Sequence, residues 1–145
     1  MRKQDCCFIL TLEREGKVSL HLSKVMESNQ RATVAFLCGC INNQGAHRFT
    51  GIYDYSTSTN IACNYVKNGG NISVYDYRRG CYLSGNFPSF YDYGLSSYIS
   101  ITKTGSNAFS IYDYNSGNYA MITCNFPKVA LYDYSEGRTY SYQIL

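Results

Sequence analysis

Tryptophan is absent from this 145-residue chain, proline and histidine occur twice each, and only 16% of the residues are charged. Each scarcity removes a class of protein. Low charge beside 45% hydrophobic residues excludes a disordered chain. Residues 51–145 hold six Lys/Arg and six Asp/Glu, so this region carries no basic stripe along which a phosphate backbone could run. Acidic residues never gather in one short loop, as a compact calcium site requires. No apolar stretch reaches the length of a membrane span. The start, "MRKQDCCFILTLEREG", is basic and then apolar. However, Asp5 interrupts it, and acidic residues follow where a leader's small-residue cleavage site would stand.

Motifs that carry chemistry are missing too. There is no glycine-rich phosphate loop, no G-x-S-x-G and no H-E-x-x-H. The close thiol pairs, Cys6-Cys7 and Cys38-x-Cys40, lack the C-x2-C spacing of zinc sites. His21, between Leu20 and Leu22, reads as outward-facing on a strand, and His47 sits in a Gly/Asn loop, so neither is set beside a cysteine nucleophile. Seven cysteines in irregular spacing fit a reducing compartment rather than a disulfide framework. These readings predict a cytoplasmic protein that is not an enzyme, with no cofactor, no metal, and neither nucleic acid nor membrane as partner.

What the chain has in excess is tyrosine, 16 residues, with 12 glycines. Tyr-Asp-Tyr occurs five times, at 53–55, 75–77, 91–93, 112–114 and 132–134. A period near 20 residues means one supersecondary unit per repeat. Each unit runs from an alternating apolar stretch through Tyr-Asp-Tyr and a short polar segment ("STST", "RRGC", "GLSS", "NSGN", "SEGR") into a second alternating stretch. That is the pattern of a β-hairpin. The links "YVKNGGN", "NFPS", "TKTGSN" and "NFPK" are short turns, which exclude helical crossovers. The prediction is all-β: an antiparallel meander of repeated hairpins closing a barrel or a two-layer sandwich, in a single domain over 1–145. Residues 51–145 form the five repeats, and 1–50 form a diverged hairpin, "FILTLEREGKVSLHLS", followed by a strand. Its Glu15-Gly16-Lys17 resembles Glu136-Gly137-Arg138 of the last repeat. "RATVAFLCGCI" (31–41) reads as the further strand, buried on both faces, for about thirteen strands in all.

Alternation also assigns faces. A four-residue loop pairing Tyr114 with Tyr119 puts Phe109, Ile111, Ala120, Ile122 and Cys124 on one face, with Asp113 at its turn end. The same rule groups Ile52, Asp54, Ile61 and Cys63; Ile72, Val74, Asp76 and Leu83; and Phe90, Asp92, Ile99 and Ile101. The last hairpin sorts in neither register. The opposite face carries Tyr53, Tyr55, Tyr75, Tyr77, Tyr91, Tyr93, Tyr112, Tyr114, Tyr119, Tyr132 and Tyr134, with cross-strand pairs Tyr114–Tyr119 and Tyr77–Tyr82.

Two candidate sites follow. Asp54, Asp76, Asp92, Asp113 and Asp133 are structural turn clamps, with a cation rim or a hydrolytic acid/base pair as the alternative. The tyrosines form an aromatic surface larger than a monomer ordinarily exposes. That surface suits self-association into a homodimer or binding of a protein partner, with a glycan or small ligand as the alternative.

Overall fold

A computed structural model of the chain describes the backbone of residues 6–12, 18–43 and 48–145, and the side chains of 25–43 and 48–145. Two strands, β1 (Cys6–Leu12) and β2 (Val18–Lys24), make a separate two-stranded antiparallel sheet, with Leu10 opposite Leu20. The N-terminal hairpin therefore exists but is not a sixth barrel repeat. Residues 15–17, on which its likeness to the last repeat rests, lie outside the described residues, as do His47 and the side chains of Cys6, Cys7 and His21.

Ten further strands follow: β3 (Gly51–Asp54), β4 (Thr59–Asn68), β5 (Asn71–Asp76), β6 (Cys81–Asn86), β7 (Ser89–Asp92), β8 (Ser97–Lys103), β9 (Ala108–Asp113), β10 (Asn118–Asn125), β11 (Lys128–Asp133) and β12 (Arg138–Ile144). Each pairs with its neighbour in sequence, and β12 pairs back onto β3 through Tyr142–Asp54 and Ile144–Ile52, closing a barrel. Closure rather than a sandwich leaves the ten-strand sheet without a free edge. The five hairpin loops after Tyr-Asp-Tyr lie at one end, here the Asp end. The turns between repeats, two of them with cis prolyl bonds at Pro88 and Pro127, lie at the far end.

Residues expected on the apolar face point inward and are buried in all four hairpins assigned above. The register differs by one residue on each strand. Asp113 pairs with Asn118 and Tyr112 with Tyr119, so the loop is 114–117 and the second tyrosine belongs to it. The shift preserves which face each residue takes. The last hairpin escapes simple sorting because tyrosines, Tyr140 and Tyr142, fill its inward positions.

Segment 31–41 is the main correction. It is not a strand but most of a helix, α1 (Ser28–Ile41), so the described residues contain twelve strands and not thirteen. The side chains from Gln30 to Ile41 are all buried, and α1 packs against β3, β4, β5, β10, β11 and β12. It occupies the barrel lumen. An eight-strand barrel is about filled by its own side chains, whereas ten strands enclose more space than theirs can fill. A chain threading that space finds no sheet edge to pair with, so only a helix satisfies its own amides. Ala32, Ala35 and Leu37 support the helix, and Phe36 and Leu37 join the core formed by Ile72, Leu83, Phe90, Phe109 and Leu131. Among the described residues, no helix is long and apolar enough to cross a membrane.

At Gly39, α1 approaches the wall closely. A Cβ there would lie 2.7 Å from Ile144 Cδ1 and 2.9 Å from Val129 Cγ2. On an exposed helix, Gly→Leu gains up to about 1 kcal/mol of helix propensity. Inside the barrel, overpacking reverses the sign, and Gly39→Leu is expected to lower unfolding stability by roughly 1–3 kcal/mol. Urea denaturation measures the difference, and a gain in stability would contradict the lumenal position.

Candidate functional site

Each Tyr-Asp-Tyr does three things at once, which explains its recurrence. The central aspartate points inward, and the five are almost fully buried. Each carboxylate accepts hydrogen bonds from its own turn. Asp76 Oδ1 takes the Arg78 and Arg79 amides at 2.9 and 3.1 Å, and Asp92 Oδ1 takes those of Gly94 and Leu95 at 2.9 and 3.2 Å. Asp54 and Asp133 bind the amide and hydroxyl of Ser56 and Ser135, and Asp113 binds the Asn115 amide and the Ser116 hydroxyl. This local turn bonding ends strand pairing at the aspartate and sets the one-residue register difference. The amide of the second tyrosine then donates to the adjacent hairpin: Tyr77 to Ala62 O, Tyr93 to Tyr82 O, Tyr114 to Tyr98 O, Tyr134 to Tyr119 O, and Tyr55 to Ser141 O across the closure.

Other oxygens, on Asp76, Asp92 and Asp133, meet the helix. Thr33 Oγ1 donates to Asp76 Oδ2 at 2.8 Å, and Gln30 Nε2 donates to Asp92 Oδ2 at 3.1 Å. Arg31 Nη1 lies 3.7 Å from Asp133 Oδ2, while its guanidinium stacks 3.8 Å from the centre of the Tyr140 ring. Arg79 Nη2 reaches both oxygens of Asp92, at 2.7 and 2.9 Å. The positive N-terminal end of the α1 dipole faces the same ring of acids. Gln30, Arg31, Thr33 and Arg79 were not identified as site residues from sequence. The available signal was three polar residues within four positions at the start of an otherwise apolar run.

The aspartates lie together as an internal ring rather than an open rim, with most of their oxygens hydrogen-bonded; Asp133 Oδ2 has no hydrogen bond and faces the Arg31 guanidinium at 3.7 Å. Among the described residues, no group of three or more His, Cys, Asp or Glu side chains is placed to hold a metal ion. Burial pushes the Asp113 carboxyl above its ordinary range, against the Ser116 hydroxyl, the Asn115 and Ser116 amides and the Gln30 amide, which favour its charged form. Cys38, Cys40, Cys63 and Cys124 are buried free thiols, and burial raises them all, Cys124 to about 11. Such thiols stay protonated and are poor nucleophiles.

Outside the same end, the tyrosines form a girdle. In every repeat the two flanking rings meet edge to face with centroids 4.7–4.9 Å apart. A third ring from the next strand joins them in three repeats: Tyr75–Tyr82 at 4.7 Å, Tyr91–Tyr98 at 4.8 Å and Tyr112–Tyr119 at 4.6 Å. These replace the expected partners Tyr77–Tyr82 and Tyr114–Tyr119. The first tyrosine of most repeats is half-buried beneath the second, and Tyr77, Tyr93 and Tyr114 are 62, 60 and 61% exposed. Shallow grooves lie between the rows. One of about 480 Å³ is lined by Ser110, Tyr119, Met121 and Tyr134, and one of about 670 Å³ by Tyr55, Thr123 and Ser141 among others.

The class defined by these features is a closed all-β meander barrel with a lumenal helix, an internal acid ring and an external tyrosine girdle. Comparison with known proteins finds no matching family model, no matching curated protein and no matching solved structure.

The ring separates two kinds of aspartate. Asp92→Asn strands a buried guanidinium and is expected to cost roughly 3–5 kcal/mol. Asp113→Asn removes a charge that burial already disfavours and should cost under about 1 kcal/mol. The folded pKa of Asp113 is raised. Its contribution to stability is therefore greatest below the ordinary carboxylate range and declines as pH rises through that range toward neutrality. Denaturant midpoints of both variants from acid to neutral pH check this, and equal losses at every pH would contradict it.

Proposed function

We propose that this protein is a non-enzymatic interaction module that binds through its tyrosine girdle, with a second copy of itself as the first candidate partner. The observation that carries this reading is the exposed, preordered array of paired tyrosines around one end of a rigid barrel. Tyrosine offers a large amphipathic contact area at low conformational cost, and Ser, Gly and Asn between such rings supply adaptable hydrogen bonding. The hairpin loops have that composition: Tyr55-Ser56-Thr57-Ser58, Tyr93-Gly94-Leu95-Ser96 and Tyr114-Asn115-Ser116-Gly117. Ring pairing fixes the first tyrosine of each unit, so less freedom is lost on association. The same exposed rings support a second reading, a carbohydrate or small-ligand module, because an aromatic face stacks on a sugar ring. Engagement of the carboxylates by turn amides and by α1 weighs against hydrolysis or cation binding at the Asp end. Free buried cysteines support residence in a reducing compartment such as the cytoplasm.

Light scattering over a concentration series tests the reading. A dimer has twice the 16.4 kDa of one chain. The triple variant Tyr77→Ser, Tyr93→Ser, Tyr114→Ser is expected to shift that mass back to the monomer while unfolding close to the parent's temperature. A parent that is monomeric at every concentration would rule out a second copy as occupant.

A further inference from the structure

The barrel is polarised in charge. Every acidic side chain among the described residues belongs to the Asp end: Glu27, the five aspartates and Glu136. The far end has lysines instead, because the connections between repeats carry Lys67, Lys103 and Lys128. The Asp end also holds Arg31, Arg78, Arg79 and Arg138, so what folding separates is the carboxylates from Lys67, Lys103 and Lys128.

A cavity of about 740 Å³ opens at that far end beside the last residue of α1, Ile41. It arises because α1 packs against one side of the barrel, β10–β12 and β3–β5, while the opening lies toward the turns of β4–β8. Its floor is apolar, with Ile41 and Ile72 buried. Phe87 stands at its wall, 39% exposed, held against Phe90 at 5.2 Å and Phe109 at 6.3 Å. Lys67 and Lys103 line it, together with the amides of Asn68, Asn71 and Asn86. Neither lysine has a carboxylate partner among the described residues, and Lys103 Nζ rests 5.9 Å from the centre of the Phe109 ring. Asn42 and Asn43 amides donate to Cys38 and Cys40 carbonyls, so two of the helix-end oxygens nearest the opening are already engaged.

We propose that this cavity is a binding site for a small organic phosphate, a phosphomonoester carried on a sugar or a flat ring. The volume is that of a small-molecule site, with an apolar wall and a few polar groups that fix orientation. Two unpaired ammonium groups supply the charge for a dianionic phosphate. Phe87 offers its ring to the ligand's body, and three carboxamides offer donors and acceptors to its hydroxyls or ring nitrogens. The lysines converge on one concave site and form no continuous track, which favours a small anion over a polymeric one. This site lies at the opposite end from the tyrosine girdle and is independent of the role proposed for it.

Calorimetric titration with adenosine 5′-monophosphate, adenosine and inorganic phosphate tests the assignment. The monophosphate is expected to bind at least about tenfold more tightly than adenosine, with inorganic phosphate competing. Lys67→Met with Lys103→Met should lower its affinity about tenfold or more, while Lys128→Met, outside the cavity, leaves it unchanged. All three lysines are exposed, and thermal unfolding near the parent's value confirms that the variants are folded. No binding of the monophosphate up to about 10 mM would overturn the proposal. So would equal affinity for adenosine, an equal loss in Lys128→Met, or tight binding of an RNA oligonucleotide that the monophosphate does not displace.

Discussion

Five carboxylates lie inside one end of a closed barrel, and an unpaired buried carboxylate would cost several kcal/mol. The molecule is organised around meeting that cost twice over. One set of carboxylate oxygens is bound by turn amides and turn hydroxyls, which shapes each hairpin loop. Other oxygens require donors from within the lumen, and α1 brings Gln30, Arg31 and Thr33 to that end. The acid ring is thus a local turn device repeated five times and, collectively, a socket that orients the helix N-terminus. Had the ring been apolar, the helix dipole and its three polar residues would have had no reason to face it.

The girdle outside follows from the same constraint. An aspartate that points inward at the end of a strand forces both neighbours outward, and in this chain both neighbours are tyrosine. Because the turn takes up the second tyrosine, that ring folds edge-on over the first and its amide reaches the preceding hairpin. The exposed tyrosine surface and the bonding between adjacent hairpins are therefore built from one tripeptide. The rings are held by the parts that hold the barrel, so the surface is ordered by the fold itself.

Much of this was legible in the sequence. Alternation with period two placed Ile52, Val74, Ile99 and Ile111 inward and the tyrosines outward, since a strand face survives a register error of an even number of residues. The register itself was not legible, because it depends on turn bonding by Asp113 that pattern alone leaves open. The helix is hidden in the sequence for a physical reason. A segment buried on every side loses its polar stripe, so "RATVAFLCGCI" shows neither helical nor strand periodicity, and only length separates the two. The inward faces of Tyr140 and Tyr142 defeated sorting by polarity, since tyrosine is at home on both sides of a barrel wall. Partners of the acid ring stayed hidden with the helix, and the charge separation between the two ends emerges only once the strands are folded back on one another.

The central claim is that acid ring, helix and barrel form one cooperative unit. Amide hydrogen exchange on the intact protein tests it most directly. If the claim holds, the α1 amides from Val34 to Cys40 exchange as slowly as those of Ile72–Val74 and Ile99–Ile101, because all open only on global unfolding. If instead α1 exchanges far faster than these strands, the helix leaves the lumen while the barrel stands, and the ring does not depend on it.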